Sequence, residues 1–241
     1  MPIITAAAAV IAVAAAIAQY AIPAVVPALE RSRTGVVAGE WWRLVTPLLV
    51  QTLGWYQVVL NLVTLALVGV VVERAVGHGR WVVLFAAGAL GGQFAAYATR
   101  EPGGGDSIAI CGLAGGMIVW LLASRPADRW AAWIVVGYVA ALAGWGFGGV
   151  RAAAVASLVA MVALVVVPDK RFTLAVTAVC AIAMASAYDL HGVSLVSGMI
   201  AGILIAPWRQ RGAQAIPVTG LSTPDTIAPQ LVDAPAANDP L

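Results

Sequence analysis

The sequence contains a series of long apolar stretches, separated only by short polar or glycine-rich segments. A membrane-spanning helix needs about 20 mostly apolar residues. Backbone amides inside a bilayer must be hydrogen-bonded within the protein, so stretches of this kind are restricted to helices. We therefore predict an all-α fold, a polytopic transmembrane helix bundle with about eight spans. The apolar stretches are residues 4–29, 54–76, 81–99, 108–124, 130–147, 151–167, 172–188 and 191–208.

Composition supports this interpretation and excludes several other classes of protein. Hydrophobic residues make up 62% of the chain and charged residues only 10%, whereas soluble domains carry about a quarter charged residues. The net charge of +2 comes without any run of Lys or Arg, so no nucleic-acid partner is expected. The two cysteines, Cys111 and Cys180, lie in different apolar stretches. We therefore expect no disulfide framework, no metal site and no cofactor.

The two ends of the chain differ in character. The first apolar stretch has no basic residues before it and is longer than the core of a secretory signal, so we expect a retained membrane helix rather than a processed leader. Residues 211–241 are rich in Pro, Ala, Thr and Asp and cannot form a packed core. We predict a transmembrane domain over residues 1–210 followed by a disordered cytoplasmic tail.

The basic residues favour one orientation in the membrane. Cytoplasmic loops carry an excess of Lys and Arg. With the N-terminus inside, eight basic residues fall in cytoplasmic loops and five in outer loops. We expect an integral protein of a bacterial plasma membrane with both termini in the cytoplasm.

Polar side chains inside the spans are rare and mark candidate functional positions. Gln57 and Asn61 are spaced i and i+4, so they share one face of the second span. Such amides also join helices by hydrogen bonds, and that alternative stays open. Three Gly-x3-Gly pairs (Gly88/Gly92, Gly112/Gly116 and Gly198/Gly202) indicate close helix packing.

Several motifs follow one another in an order that resembles the rhomboid intramembrane proteases. The resemblance implies a rhomboid-like core with a catalytic site inside the membrane. It covers about residues 38–124 well and the remainder loosely. The matching positions are Trp42 and Arg43 in GEWWR, Gln57 and Asn61 in QVVLN, Gly69, Glu73 and Arg74 in GVVVER, and Cys111 and Gly112 in CGLAGG.

The sequence departs from the family pattern at the positions that matter most for catalysis. Cys111 stands where the family has its serine, Ala109 where it has a glycine, and Gln57 where it has a histidine. The resemblance places Asn61, Gln57 and the backbone around Gly112 at the oxyanion hole or substrate-binding positions. A cysteine is also a small hydrophobic residue that buries readily, so Cys111 could serve packing alone.

The general base must be one of two histidines. His78 lies on a cytoplasmic turn, opposite the end of the bundle where Cys111 is expected, which leaves His191. The segment HGVSLVSG aligns with the family pattern around its histidine, with Gly198 on a family glycine but Ser194 where the family has another glycine. It lies in the eighth predicted span, whereas the family pattern lies in the sixth. A competing alignment uses the span 151–167, where Ala153 would stand at the position of the base. We favour His191, with Asp189 as either an orienting acid or the N-cap of the helix.

Three functions remain open on the sequence alone. The favoured one is a catalytically degenerate rhomboid-like protein that engages the transmembrane segments of other membrane proteins. The alternative is an active intramembrane endopeptidase with a Cys111/His191 dyad. A small transporter or channel is disfavoured, because charged residues inside the spans are scarce and no pair of interrupted helices occupies matching halves.

Overall fold

Helices dominate the computed structural model of the protein, which describes residues 1–124 and 129–205. The predicted tail, 211–241, lies outside the described residues, as does the end of the last predicted span. One isolated antiparallel bridge, between Arg31 and Gly103, occurs in these ranges. The α-helices are α1 (Ile3–Ala21), α2 (Val25–Leu29), α3 (Arg33–Val37), α4 (Trp55–Thr64), α5 (Val70–Val76), α6 (His78–Thr99), α7 (Ser107–Ala123), α8 (Arg129–Val166), α9 (Lys170–Ser186) and α10 (Leu190–Ile205).

The helices coincide with the predicted apolar stretches, which confirms the all-α fold class. A π-helical turn, Leu65–Gly69, joins α4 to α5 in one continuous helix. Gly148 and Gly149 have non-helical backbone angles inside α8, so this helix consists of two parts that match two predicted stretches. The first helix ends earlier than expected, at Ala21, because Pro23 disfavours the helical conformation of the residue before it.

The number of helices that cross the bilayer stays a prediction. In the described ranges, four helices are long and apolar enough to do so: Ile3–Ala21, Trp55–Val76, His78–Thr99 and Arg129–Val166. α7 and α10 are apolar but shorter. α7 occupies the interior of the bundle, where it is buried along almost its whole length. α10 packs against α7 with one face and exposes the other.

Glycines let the three central helices, α6, α7 and α10, approach each other closely. A Cβ added to Gly112 would overlap the backbone of Leu84 and Gly88 on α6. A Cβ on Gly198 of α10 would overlap Gly112 itself, and one on Gly202 would lie 3.0 Å from the Gly116 Cα. The predicted packing role of the three glycine pairs is therefore confirmed, and the pairs meet one another.

Hydrogen bonds fix both ends of α1, one end to α5 and the other to the connection before α4. The buried Glu73 carboxylate accepts bonds from the backbone N–H groups of Ile4 and Thr5, at 2.9 and 2.7 Å. It thereby satisfies donors that a helix N-terminus leaves without a partner. Near the other end of α1, the Gln19 side chain accepts a 2.8 Å bond from the backbone of Gln51.

The connection between α1 and α4 folds around Arg43. This buried side chain donates to the carbonyl oxygens of Pro27 and Glu30, at 2.9 and 2.8 Å, and pairs with Glu40. The Tyr97 hydroxyl of α6 donates to the Arg43 carbonyl at 2.6 Å. Arg43 therefore holds a long connection of short helices and turns against the end of α6, the same end of the bundle at which α7 begins.

Candidate functional site

Cys111 lies in the second turn of α7 and is completely enclosed by protein. Its exposed fraction is 0%. The thiol Sγ lies 3.4 Å from the Tyr138 hydroxyl of α8, which is its hydrogen-bonding partner. Among the described residues, no hydrogen bond joins Cys111 to His191. The expected nucleophile is thus fully enclosed by protein, with a phenol beside it.

His191 contacts α7 one helical turn before Cys111. Its Nε2 lies 3.1 Å from the Ser107 hydroxyl, and its Nδ1 lies 3.7 Å from the Asp189 carboxylate. The structure therefore brings His191 to the expected helix but beside Ser107. All three side chains of this Ser107–His191–Asp189 cluster are partly exposed.

Asp189 contacts the imidazole and also caps its helix. Its carboxylate accepts a 2.9 Å bond from the backbone N–H of Gly192, which confirms the predicted N-cap of α10. Partial burial alone would raise the pKa of this carboxyl, but the hydrogen bond and charge of His191 and the Gly192 N–H outweigh it. The net result is a pKa below the usual value, so the carboxylate is the favoured form.

The amide of Asn61 is occupied within a buried polar cluster formed by Gln51, Asn61 and Asp106. The Asn61 Nδ2 donates to Gln51 Oε1 at 2.8 Å and to Asp106 Oδ1 at 2.9 Å. Gln51 also donates to the same Asp106 oxygen at 2.7 Å. Both N–H groups of the Asn61 amide therefore have protein acceptors in this structure.

Gln57 and Gly112 also contact neighbouring parts of the fold. The Gln57 Nε2 donates to the Gly104 carbonyl at 3.0 Å, and its Oε1 accepts from the Leu53 N–H at 2.8 Å. These bonds tie the start of α4 to the loop before α7. Gly112 lies against α6 and α10, so its neighbourhood is filled by backbone.

Three residues at this site were not assigned roles by sequence reasoning: Ser107, Tyr138 and Asp106. Ser107 and Cys111 are spaced i and i+4, so the sequence could have indicated that they share one face of the helix. Asp106 is 4% exposed, and a carboxylate beside an apolar span needs partners such as the Gln51 and Asn61 amides. For Tyr138, the sequence indicates only that a hydroxyl group lies inside a predicted span, and it does not indicate a contact with Cys111.

No candidate metal centre accompanies these residues. Within residues 1–124 and 129–205, no group of three His, Cys, Asp or Glu side chains lies close enough together to hold a metal ion.

A family comparison decides which group of membrane proteins this bundle represents. The rhomboid domain family matches residues 38–167, more than half of the 241-residue chain. The chain belongs to the rhomboid family. It is therefore an integral membrane protein related to the intramembrane proteases. The match ends before α9 and α10, so it does not test the alignment of His191 with the family histidine.

Two relatives from Bacillus subtilis (strain 168) support this assignment. The chain is 34% identical over 91 residues to the rhomboid protease GluP, covering 37% of this chain and 18% of that protein. It is 33% identical over 66 residues to the putative rhomboid protease YdcA, covering 27% of this chain and 33% of that protein. The chain thus spans a third or less of the length of these relatives. No solved structure matches this rhomboid.

Proposed function

We propose that this rhomboid binds transmembrane helices of other membrane proteins without cutting them. The observation that carries the proposal is the state of Cys111: its thiol is fully buried and bonded to Tyr138, and His191 bonds to Ser107 instead. Cleavage by a thiol needs a thiolate, a base that generates it, and access to the scissile carbonyl. Cys111, which the family resemblance makes catalytic, has no base beside it among the described residues and no access to a scissile carbonyl.

The predicted oxyanion donors support the same conclusion. Catalysis of acyl transfer depends on N–H donors that are aimed at the developing negative charge. The Asn61 amide instead donates to Gln51 and Asp106, and the Gln57 amide donates to Gly104. A substrate would have to break these bonds before it gained any stabilisation.

An apolar surface on α4 suits helix binding. The outer face of α4 carries large apolar side chains that are exposed in the described structure. Tyr56, Val59, Leu60 and Val63 are 39 to 50% exposed. A transmembrane helix packs on such a face by van der Waals contact. One relative is a rhomboid protease and the other a putative rhomboid protease, which supports engagement of other membrane proteins by this chain.

A cleavage assay in reconstituted vesicles tests the absence of activity. The wild type, Cys111→Ala and His191→Ala are incubated with a panel of single-span substrates, with an active rhomboid protease as positive control. We expect all three proteins to leave the substrates intact at the level of protein-free vesicles. Cleavage by the wild type that either substitution abolishes would overturn the proposal.

Binding is tested separately by photo-crosslinking. A photoreactive amino acid at Val59 is expected to capture a co-expressed single-span helix, whereas one at the exposed Val176 of α9 serves as a matched control. Equal capture at both positions would show that the contact is non-specific, and it would remove α4 as the binding face.

A second candidate function is an active intramembrane endopeptidase, in which His191 is the base. One observation favours it: the His191 imidazole already lies at the first turn of α7, 3.1 Å from the Ser107 hydroxyl and near Asp189. The nucleophile would then be either Ser107 or, with a one-turn shift of α10, Cys111. Adding Ser107→Ala to the cleavage assay distinguishes these two sources of activity.

We also propose a location and orientation. The relatives come from a bacterium, and the loop charges favour cytoplasmic N- and C-termini. A plasma-membrane protein with this orientation would have the start of α7 near the outer leaflet.

A further inference from the structure

Two adjoining clefts open on the surface where the connection after α1 meets the end of α6. The first has a volume of about 510 Å³ and is mostly apolar, with Gln93 among its lining residues. The second has a volume of about 280 Å³ and carries charge. They share Arg33 and Tyr97, so they form one continuous surface with a polar part and an apolar part. Neither includes a residue of the candidate catalytic site.

The polar cleft has an excess of positive charge. Three arginines (Arg31, Arg33 and Arg100) line it, against one acid, Glu101. Arg31 is buried and donates to Gln93, at 2.7 Å, and to the Glu101 carbonyl, at 3.2 Å. Arg33 and Arg100 are exposed, and within the described ranges neither forms an ion pair. Their two guanidinium groups are thus free to bind a phosphate.

The apolar cleft contains a polar side chain that lacks a partner. Gln93 is only 4% exposed, and its Nε2 is a buried nitrogen without a hydrogen bond, although its Oε1 accepts from Arg31. A buried donor without an acceptor destabilises the folded protein. Leu90 and Phe94, which flank this amide in the cleft, are 66% and 76% exposed. The site therefore offers an N–H donor between large apolar side chains.

We propose that the joined clefts bind one anionic phospholipid from the surrounding membrane. Its phosphate lies between Arg33 and Arg100, an acyl ester carbonyl accepts from the Gln93 amide, and an acyl chain lies along Leu90 and Phe94. The position fits, because the clefts lie where α6 ends and a polar loop begins, at the level of a membrane interface. The proposal is independent of whether this rhomboid cleaves or only binds helices.

The first test compares lipids directly. Full-length protein in detergent receives equal amounts of phosphatidylglycerol and phosphatidylcholine, and native mass spectrometry counts the retained lipids. We expect the wild type to retain phosphatidylglycerol about five-fold over phosphatidylcholine. Both lipids carry the phosphate, but the choline cation of phosphatidylcholine is repelled by the two arginines. Arg33→Glu/Arg100→Glu is expected to lose the preference. Arg151→Glu, an exposed arginine on α8, is the matched control and should keep it.

The second test removes the donor while it preserves the fold. Gln93→Glu keeps an oxygen that accepts from Arg31 but replaces the unpaired N–H by a carboxylate oxygen. We expect this variant to unfold at the wild-type temperature or higher in detergent alone, and to lose most of the phosphatidylglycerol retention. A variant that folds normally and retains this lipid as the wild type does would overturn the assignment of Gln93.

A last experiment tests whether the site binds a lipid or any free phosphate. Soluble glycerol phosphate should not raise the unfolding temperature at concentrations where phosphatidylglycerol does. An equal shift with glycerol phosphate, or equal retention of phosphatidylglycerol by the double arginine variant and the wild type, would overturn the proposal. Arg33→Gln provides a milder variant should the double substitution fail to fold, with a partial loss of preference expected.

Discussion

At the scale of single residues, the reactivity expected of Cys111 follows from its surroundings rather than from its position in a motif. A thiol reacts as a thiolate, which needs solvation or a cationic partner. Cys111 has neither, since it is enclosed by apolar side chains and its hydroxyl partner is Tyr138. A small, polarisable residue is well suited to fill such a space.

This environment predicts a difference in reactivity between the two cysteines. In folded protein, Cys111, which is fully buried, should react with N-ethylmaleimide at least ten-fold more slowly than the partly exposed Cys180. Mass spectrometry of the single-cysteine variants Cys111→Ser and Cys180→Ser measures the two rates. Equal rates after denaturation are the control. Faster labelling of Cys111 in the folded protein would indicate an accessible, activated thiol.

The carboxylate of Asp189 predicts a pH dependence. A lowered folded-state pKa means that the charged carboxylate stabilises the fold above the unfolded pKa, and that this contribution is lost as pH falls through the folded pKa. Asp189→Asn keeps a capping side chain and removes the charge. We expect it to cost about 0.5 kcal/mol at neutral pH, a small value because the group is partly exposed.

The difference between Asp189→Asn and the wild type should therefore shrink as pH falls below about 4, the ordinary aspartate range. Thermal unfolding in detergent at several pH values measures it. Asp169→Asn is a matched control, because Asp169 caps α9 in the same way but contacts no histidine. A loss that is constant with pH, or equal in both variants, would contradict the role of His191 beside Asp189.

At the scale of helices, the contact of α6, α7 and α10 is the least tolerant part of the fold. Their backbones meet at Gly88, Gly112 and Gly198, with no space for a methyl group. Close backbone approach of this kind drives helix association where lipid supplies no hydrophobic force. The entire arrangement of Cys111 and His191 depends on this contact, because α7 carries one and α10 the other.

Gly112→Ala should therefore destabilise the folded protein by about 1–3 kcal/mol, the range for overpacking of a core. Gly79→Ala is the matched control: a Cβ there meets no atom within 4 Å. It should leave the unfolding temperature unchanged or raise it, because alanine favours helix over glycine. Equal unfolding temperatures for Gly112→Ala and the wild type in detergent would show that the helices can separate at little cost.

Glu73 is predicted to hold the start of α1 in place. Glu73→Ala leaves the Ile4 and Thr5 N–H groups without their acceptor, and a buried donor that loses its partner costs about 1–3 kcal/mol. Hydrogen exchange should become much faster in α1 and change little in α7. Glu101→Ala, at an exposed carboxylate, should change neither rate. Uniform acceleration over all helices would mean that Glu73 supports the whole bundle rather than α1.

At the scale of the whole molecule, charge asymmetry predicts which ends of the helices face the cytoplasm. The turn before α6 and the loop after it lie at opposite ends of that helix. In a Cys111→Ser/Cys180→Ser background, Glu101→Cys should react with a membrane-impermeant maleimide in intact cells. Gly79→Cys should react only after permeabilisation. The reverse pattern would invert the proposed orientation.

Much of the architecture could be predicted from the sequence because hydropathy reports on burial in lipid. Helix positions, the break near Gly148 and the glycine contacts all follow from local composition. The pairing of side chains could not be predicted in this way, since it depends on how far each helix is rotated and shifted. A shift of one helical turn between α7 and α10 decides whether His191 faces Ser107 or Cys111.

The π-helical turn at Leu65–Gly69 has a consequence for the phase of its helix. Asn61 and Glu73 are 73 − 61 = 12 positions apart, which in a regular α-helix at about 100° per residue leaves them a third of a turn out of alignment. The wider turn absorbs about one extra residue and removes most of that angle. Both side chains are buried, one beside the start of α7 and the other beneath α1. If this turn became a regular α-helical turn without losing a residue, Glu73 would rotate by about 100° and release the first helix. Deleting one residue from the turn would instead leave Asn61 and Glu73 close in phase.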